Sequence, residues 1–207
     1  MNFSVLKVDN SPKLKILGKN RINFFNKKND ISLFHFNQLD KNMFHVVFNI
    51  NDIFQTGTKR TGNQHNFSYS SLVNCFFFLD NNYLLIENIT TEYVNDVIRH
   101  IEQKTKTNID KTRISNKQFS SIKDALEGTI KHLEYVNEDE DDIYLDFVSN
   151  DQFSSIIENY KVETMTILAE NEYVSIYKTG KISVNNSDDQ YLIRFTRAII
   201  NAINISN

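Results

Sequence analysis

Arg60 and His65 are the side chains whose types and spacing come closest to phosphate chemistry. They pair a permanent cation with a group that titrates near neutrality, in the string Arg60-Thr61-Gly62-Asn63-Gln64-His65. Thr58 and Lys59 precede them and add a hydroxyl and a second cation able to touch phosphate oxygens. Gly57, Gly62, Asn63 and the surrounding threonines place the string in a loop between strands. No catalytic residue is therefore assigned, and Arg60 and His65 stand only as candidates. The remaining histidines do not gather: His35 and His45 lie in strand-like apolar runs, His100 and His132 in helix-like ones, with no metal-site spacing. Cys75 has no evident activating base and reads as a small core residue. Five scattered glycines form no phosphate-cradling loop, and the serines form no nucleophile elbow. Neither a metal nor a cofactor is expected.

The Arg-x4-His spacing resembles that of HEPN ribonucleases. In that family the two residues sit one helical turn apart and both reach a scissile phosphate, so the resemblance implies a ribonuclease. The glycines of this string are its departure from that pattern.

Bulk composition narrows the class. The 207 residues are 40% hydrophobic, with sixteen Phe and nine Tyr, which excludes a disordered chain and allows one sizeable core or two small ones. No apolar run is long enough to cross a membrane, and Met1–Lys15 lacks the apolar centre of a signal peptide. A single Cys excludes a disulfide framework and points to a reducing cytoplasm. Net charge is −3 but uneven: residues 1–60 carry ten Lys/Arg against four acids, residues 118–207 seven against sixteen. A basic end can meet an anionic partner, and two opposite ends can equally neutralise each other within or between chains.

The elements that must position these groups are clearest toward the C-terminus. DDIYLDFV (141–148) reads as a strand, and Ser149-Asn150-Asp151 caps a short helix. VETMTILA (162–169) is a strand, and YVSIYKTGKISVNN a hairpin with a two-residue Thr179-Gly180 turn. Ser187-Asp188-Asp189 caps a final helix with Leu192, Phe195, Ile199 and Ile203 on one face. Sliding the chain 98 residues without a gap lays CFFFLDNNYLLIEN (75–88) on this unit: Phe76 and Phe78 fall on Val174 and Ile176, Leu84 and Ile86 on Ile182 and Val184, and Tyr93, Arg99 and Ile101 on Tyr191, Arg197 and Ile199. Apolar register, turn and cap agree, which predicts an internal duplication. NMFHVVFNI (42–50) and NFSYSSLVN (66–74) are further strands of the first copy. Residues 116–136 read as a connecting helix, and the acidic run Glu138–Asp142 as a solvated loop.

The two hairpins differ in their outer faces. With Val174, Ile176, Ile182 and Val184 inward, the second presents Tyr173, Ser175, Tyr177, Lys181 and Ser183, either an ordinary solvated face or one able to stack on bases and touch phosphate. The first, with Phe76, Phe78, Leu84 and Ile86 inward, presents Cys75, Phe77, Leu79, Tyr83 and Leu85. Fully burying four such side chains is worth roughly 6–12 kcal/mol, so that face must pack on something. The 116–136 helix, the N-terminal residues 1–40, a partner or a second copy could cover it.

The duplicated order, and Lys178-Thr179-Gly180-Lys181, Val184 and Phe195-Thr196 within it, resemble the tandem TATA-binding-protein-like (TBP-like) repeats at the N-terminus of RNase LS-type bacterial anti-phage toxins. The resemblance covers about residues 40–104 and 143–207. It implies an α+β fold of two antiparallel-sheet units with helices packed on one face. In those toxins the ribonuclease site lies in a later helical domain that has no counterpart in this sequence. The expected organisation is a first repeat within 1–110, a helical connector with its acidic loop over 111–142, and a second repeat over 143–207. The expected function is a non-catalytic accessory subunit of an anti-phage or toxin–antitoxin-like system. It would act by protein–protein contact through Phe77, Leu79, Tyr83 and Leu85, with a protein partner or a second copy. The alternative is nucleic-acid binding, to RNA or DNA, by the basic N-terminal region, with Lys59, Arg60, Tyr177 and Lys181 as contacts.

Overall fold

The computed structural model describes residues 1–19, 30–186 and 188–205. Arg21, Lys27 and Lys28 of the basic N-terminal tally, part of the 1–40 segment, and the Ser187 cap lie outside them. The described residues form an α+β fold: eleven strands in one sheet, antiparallel in all its pairings, with five α-helices.

The central strand is β1 (Asn2–Val8). Its run NFSVLKV is apolar on both faces, as a strand covered from above and below must be. The first unit continues through a 3₁₀ turn (Ser11–Lys15), α1 (Ile16–Lys19), β2 (Ile31–Gln38), β3 (Met43–Gly57), β4 (Gln64–Phe78), β5 (Tyr83–Glu87) and α2 (Thr91–Thr105). The second comprises β6 (Ile109–Lys111), α3 (Asn116–Leu126), β7 (Thr129–Val136), β8 (Asp142–Asp146), α4 (Asn150–Asn159), β9 (Lys161–Ala169), β10 (Glu172–Tyr177), β11 (Lys181–Val184) and α5 (Asp189–Ile205). Across the sheet the order is β2-β3-β4-β5-β1-β11-β10-β9-β7-β8, with β6 also on β1. Outward from β1, β5, β4, β3 and β2 correspond in place to β11, β10, β9 and β7. The pair β8–α4 is an addition to the second unit.

The helices start where side chains can take their first amide protons. Ser115 and Ser149 form capping boxes with Gln118 and Gln152, Thr90 caps α2, and the Tyr191 N–H donates to the Asp188 carboxylate at 2.9 Å. The expected 116–136 helix stops at Leu126: Glu127 takes a positive φ of 49°, Gly128 follows, and the alternating TIKHLEYV becomes β7, paired with β8 and β9. The 111–142 connector is thus partly sheet, and His132 is a strand residue beside Asp146.

The helices occupy both faces of the sheet, a correction to the single face expected. In the first hairpin Phe77 pairs with Leu84 and Cys75 with Ile86, and these four are buried with Val94, Val97 and Ile101 of α2 and with Leu14 and Leu17. In the second, Ile176 pairs with Ile182 and Val174 with Val184, and these are buried with Leu192, Phe195 and Ile199 of α5. Phe3 pairs with Ile182 on one side, and Phe3 and Val5 lie in the α5 core while Leu6 and Val8 lie in the α2 core. The two cores are therefore on opposite sides of β1. Because β5 and β11 both run antiparallel to β1, they are parallel to each other with their faces exchanged, as a two-fold axis along β1 would relate them.

This register also corrects the gapless slide. Cys75 and Phe77, not Phe76 and Phe78, are the counterparts of Val174 and Ile176, because the first hairpin has one more residue in its turn. A single residue is enough to exchange every side chain between faces. The true facing sets are Cys75, Phe77, Leu84 and Ile86 against Phe76, Phe78, Tyr83 and Leu85. The second hairpin also closes differently from the two-residue turn expected. Gly180 N–H donates to the Tyr177 carbonyl at 2.9 Å, and in that turn only Gly180 has a positive φ, 78°.

The two turns clasp β1. Val8 N–H donates to the Asn82 carbonyl at 2.9 Å and Val5 N–H to the Gly180 carbonyl at 2.8 Å. At Gly180 the chain passes so close to β6 that a Cβ would stand 2.2 Å from the Thr112 carbonyl oxygen. Glycine is required there by φ and by space together.

Candidate functional site

Phe77, Leu79, Tyr83 and Leu85, expected to meet another chain, are all inside this one. Phe77 and Leu79 lie in the α2 core, Tyr83 and Leu85 in the α5 core. From its middle onward α5 reaches across to the first unit, where Arg197 pairs with Asp40 and lies 3.1 Å from the Met43 sulfur, and Asn81 donates to Asn201 at 2.8 Å. The doubly apolar hairpin is covered from one side by its own helix and from the other by the helix of the second unit.

What projects instead is the far part of β3 and β4. Fifteen residues of each strand pair without interruption, from Met43↔Phe78 to Gly57↔Gln64. Beyond Ile50↔Ser71 no third strand or helix among the described residues covers most of this ribbon, and almost every residue is exposed. Seven further pairs, Asn51↔Ser70 to Gly57↔Gln64, make an arm roughly 23 Å long. The ribbon is longer than the strands expected over 42–50 and 66–74; Ile53, Phe54 and Thr56, β-branched or aromatic, are the local signal for the extension.

Alternation divides the arm. Asp52, Phe54, Thr56, His65, Phe67 and Tyr69 share one face, and Phe54 and Phe67 stand directly opposite each other, 59% and 57% exposed. At the root, Tyr69 and Tyr93 of α2 both donate to one Asp52 carboxylate oxygen, at 2.9 and 2.8 Å, and their own hydroxyls lie 2.9 Å apart. The other Asp52 oxygen accepts from Ile53 N–H at 2.7 Å. These donors, the Ile53 amide first, hold the Asp52 carboxyl below the usual carboxylate range, and the hydrogen bonds to Tyr93 and Asp52 push the Tyr69 phenol up. The cluster ties the arm's root to the start of α2.

The tip turns through Thr58–Asn63, with Gly62 at φ 67° and Thr58 N–H donating to the Asn63 carbonyl at 3.1 Å. Lys59 and Arg60 are in this turn, and His65 is the second residue of β4, paired with Thr56. Arg60 and His65 are thus in a turn and a strand, not one helical turn apart, and the HEPN arrangement is not formed. Tyr177 is half-buried and Lys181 exposed, on the open face of the second hairpin with Tyr173, and distant in the sheet order from the arm. The four nucleic-acid candidates therefore split into two separate pairs.

A second polar arrangement, unseen in the sequence, lies on the first unit's sheet. The Glu87 carboxylate accepts from Asn74 N–H at 3.1 Å and from the Asn74 amide at 2.7 Å, so the Asn74 carbonyl oxygen faces His45, whose Nε2 donates to it at 3.0 Å. His45 stacks on Phe76, with the ring of His35 at 5.8 Å. The network fixes one tautomer of His45. Among the described residues no group of three or more His, Cys, Asp or Glu is placed to hold a metal ion, and no helix is long and apolar enough to cross a membrane. Cys75 is fully buried, and burial pushes its thiol well up, so it is no nucleophile. No family of known proteins matches this chain, and no curated protein matches its sequence.

Proposed function

We propose that this chain is a non-catalytic binding protein, an accessory subunit that works by macromolecular contact through the β3–β4 arm. The observation that carries this is the arm itself: a ribbon projecting from the sheet with Ile53, Phe54, Phe67 and Tyr69 exposed along it. Isolated exposed aromatics are ordinary, but a paired set on a projecting element marks a contact surface. The hairpin expected to make that contact is core, and the arm replaces it. Kinship with the tandem TBP-like repeats of anti-phage toxins is supported by the twice-used hairpin and following helix. Helices on both faces are a departure from that class, so the place in a defence or toxin–antitoxin-like system rests on the short motifs alone.

The test replaces residues 54–67 with an Asn-Gly turn, which suits a two-residue hairpin. Tagged wild-type and arm-shortened chains are recovered from source-cell lysate, and the protein and nucleic acid held by each are quantified. A loss of about tenfold or more in the shortened chain is expected. Equal recovery by both, or nothing held by the wild type, overturns the proposal.

A further inference from the structure

Resting on that contact reading, we infer that the occupant of the arm is single-stranded nucleic acid, with bases stacked on Phe54 and Phe67 and phosphates held by Lys59 and Arg60. Charge decides between occupants. Of residues 51–71 only Asp52 is acidic, and its carboxylate is engaged at the root by two tyrosine hydroxyls and an amide. From Ile53 outward the arm carries two cations, His65 and no acid. The aromatic pair is set among hydrogen-bonding side chains: Thr56 and His65 share its face, and Gln55, Asn66 and Ser68 lie on the other with the single aliphatic Ile53. A ribbon made for a protein groove would repeat aliphatic side chains along one face. Rings with a cationic end and hydroxyl and amide edges match a strand whose bases offer π-faces and whose backbone is anionic. The acidic second unit, with Glu138–Asp142 in one run, would repel the same strand and confine it to the first.

The experiment is fluorescence anisotropy with labelled oligo-U and oligo-dT of about twenty bases, and a duplex of the same length, at roughly 50 and 200 mM salt. Two substitution pairs separate the contributions. Lys59→Glu with Arg60→Glu removes the cations at an exposed turn; two single-strand phosphate contacts carry a log–log salt slope of about −1.4, so the wild type weakens about sevenfold between the two salts and the variant much less. Phe54→Leu with Phe67→Leu keeps an apolar, strand-compatible surface and removes only the π-faces; a loss of at least about fivefold is expected. Circular dichroism confirms that each variant is folded. Tighter binding of the duplex than of the single strands overturns the assignment, as does binding unaffected by either pair. If no oligonucleotide binds while arm shortening still removes a captured protein, the contact reading stands and the nucleic-acid assignment falls. If the leucine pair retains that protein, the occupant is a protein gripping apolar surface.

Discussion

The two hairpins of this sheet share their pairing next to β1 and a following helix, yet one is buried on both faces and the other on only one. Cys75, Phe77, Leu84 and Ile86 pack on α2 as Val174, Ile176, Ile182 and Val184 pack on α5. The difference lies on the outer faces: Phe76, Phe78, Tyr83 and Leu85 meet a helix, whereas Tyr173, Ser175 and Lys181 meet solvent. The cause is an asymmetry in the helices. α5 has seventeen residues and from its middle onward meets Asp40 and Asn81 of the first unit, while α2 stays with its own unit and packs on the opposite face. Two elements in corresponding places of a sheet need not share an environment, and sequence follows the environment.

The comparison breaks most readily at one position. Phe76 and Ser175 are counterparts on the outer faces, and Phe76→Ala should cost about 3–5 kcal/mol by chemical denaturation. Ser175→Ala loses only its 2.8 Å contact with the Thr166 hydroxyl, about 1 kcal/mol. Equal losses at the two sites would refute the covering role of α5. Next come the turns that clasp β1. Gly180→Ala sets a methyl against the Thr112 carbonyl and should destabilise by more than about 2 kcal/mol. Asn82, its counterpart with a φ of 58°, makes side-chain contact with the Ser11 hydroxyl at 2.8 Å, and Asn82→Gly should cost only about 1 kcal/mol.

Smaller effects sharpen the picture. Arg197→Ala removes the pairing with Asp40 that ties the middle of α5 to the first unit, and a loss of up to about 1 kcal/mol, shrinking with added salt, is expected for so exposed a pair. Asp52, whose folded pKa is depressed, lends stability above its unfolded value near 4 that is lost as pH falls through the folded value. Asp52→Asn should therefore flatten the acid limb of the stability–pH curve, a change read by denaturation at several pH values below about 5. Shortening the arm across 54–67 should leave the denaturation midpoint within measurement error, because these residues are exposed. A clear shift would mean the arm is part of the fold and not an appendage.

Much of the local structure is legible in the residues. Ser149, Thr90 and Asp188 announce helix starts, alternation announces β9 to β11, and the repeated apolar face of α5 declares its amphipathic role. The site was partly legible. Lys59 and Arg60 are legible as loop cations and Phe67 as a strand residue, while Phe54 lies past the strand expected over 42–50. The Glu87–Asn74–His45 chain joins residues brought together only by pairing across three strands.

By itself the sequence determined the elements whose signals are local: caps, turns, alternating strands, and a hairpin too apolar to leave either face in water. Only the tertiary structure decided which faces those side chains share, that β1 is the centre, that α2 and α5 lie on opposite sides, and that β3 and β4 run on together as an arm. The physical reason is the same in each case. Strand register is set by hydrogen bonds between distant segments, and one residue of shift in a turn exchanges the two faces of everything that follows.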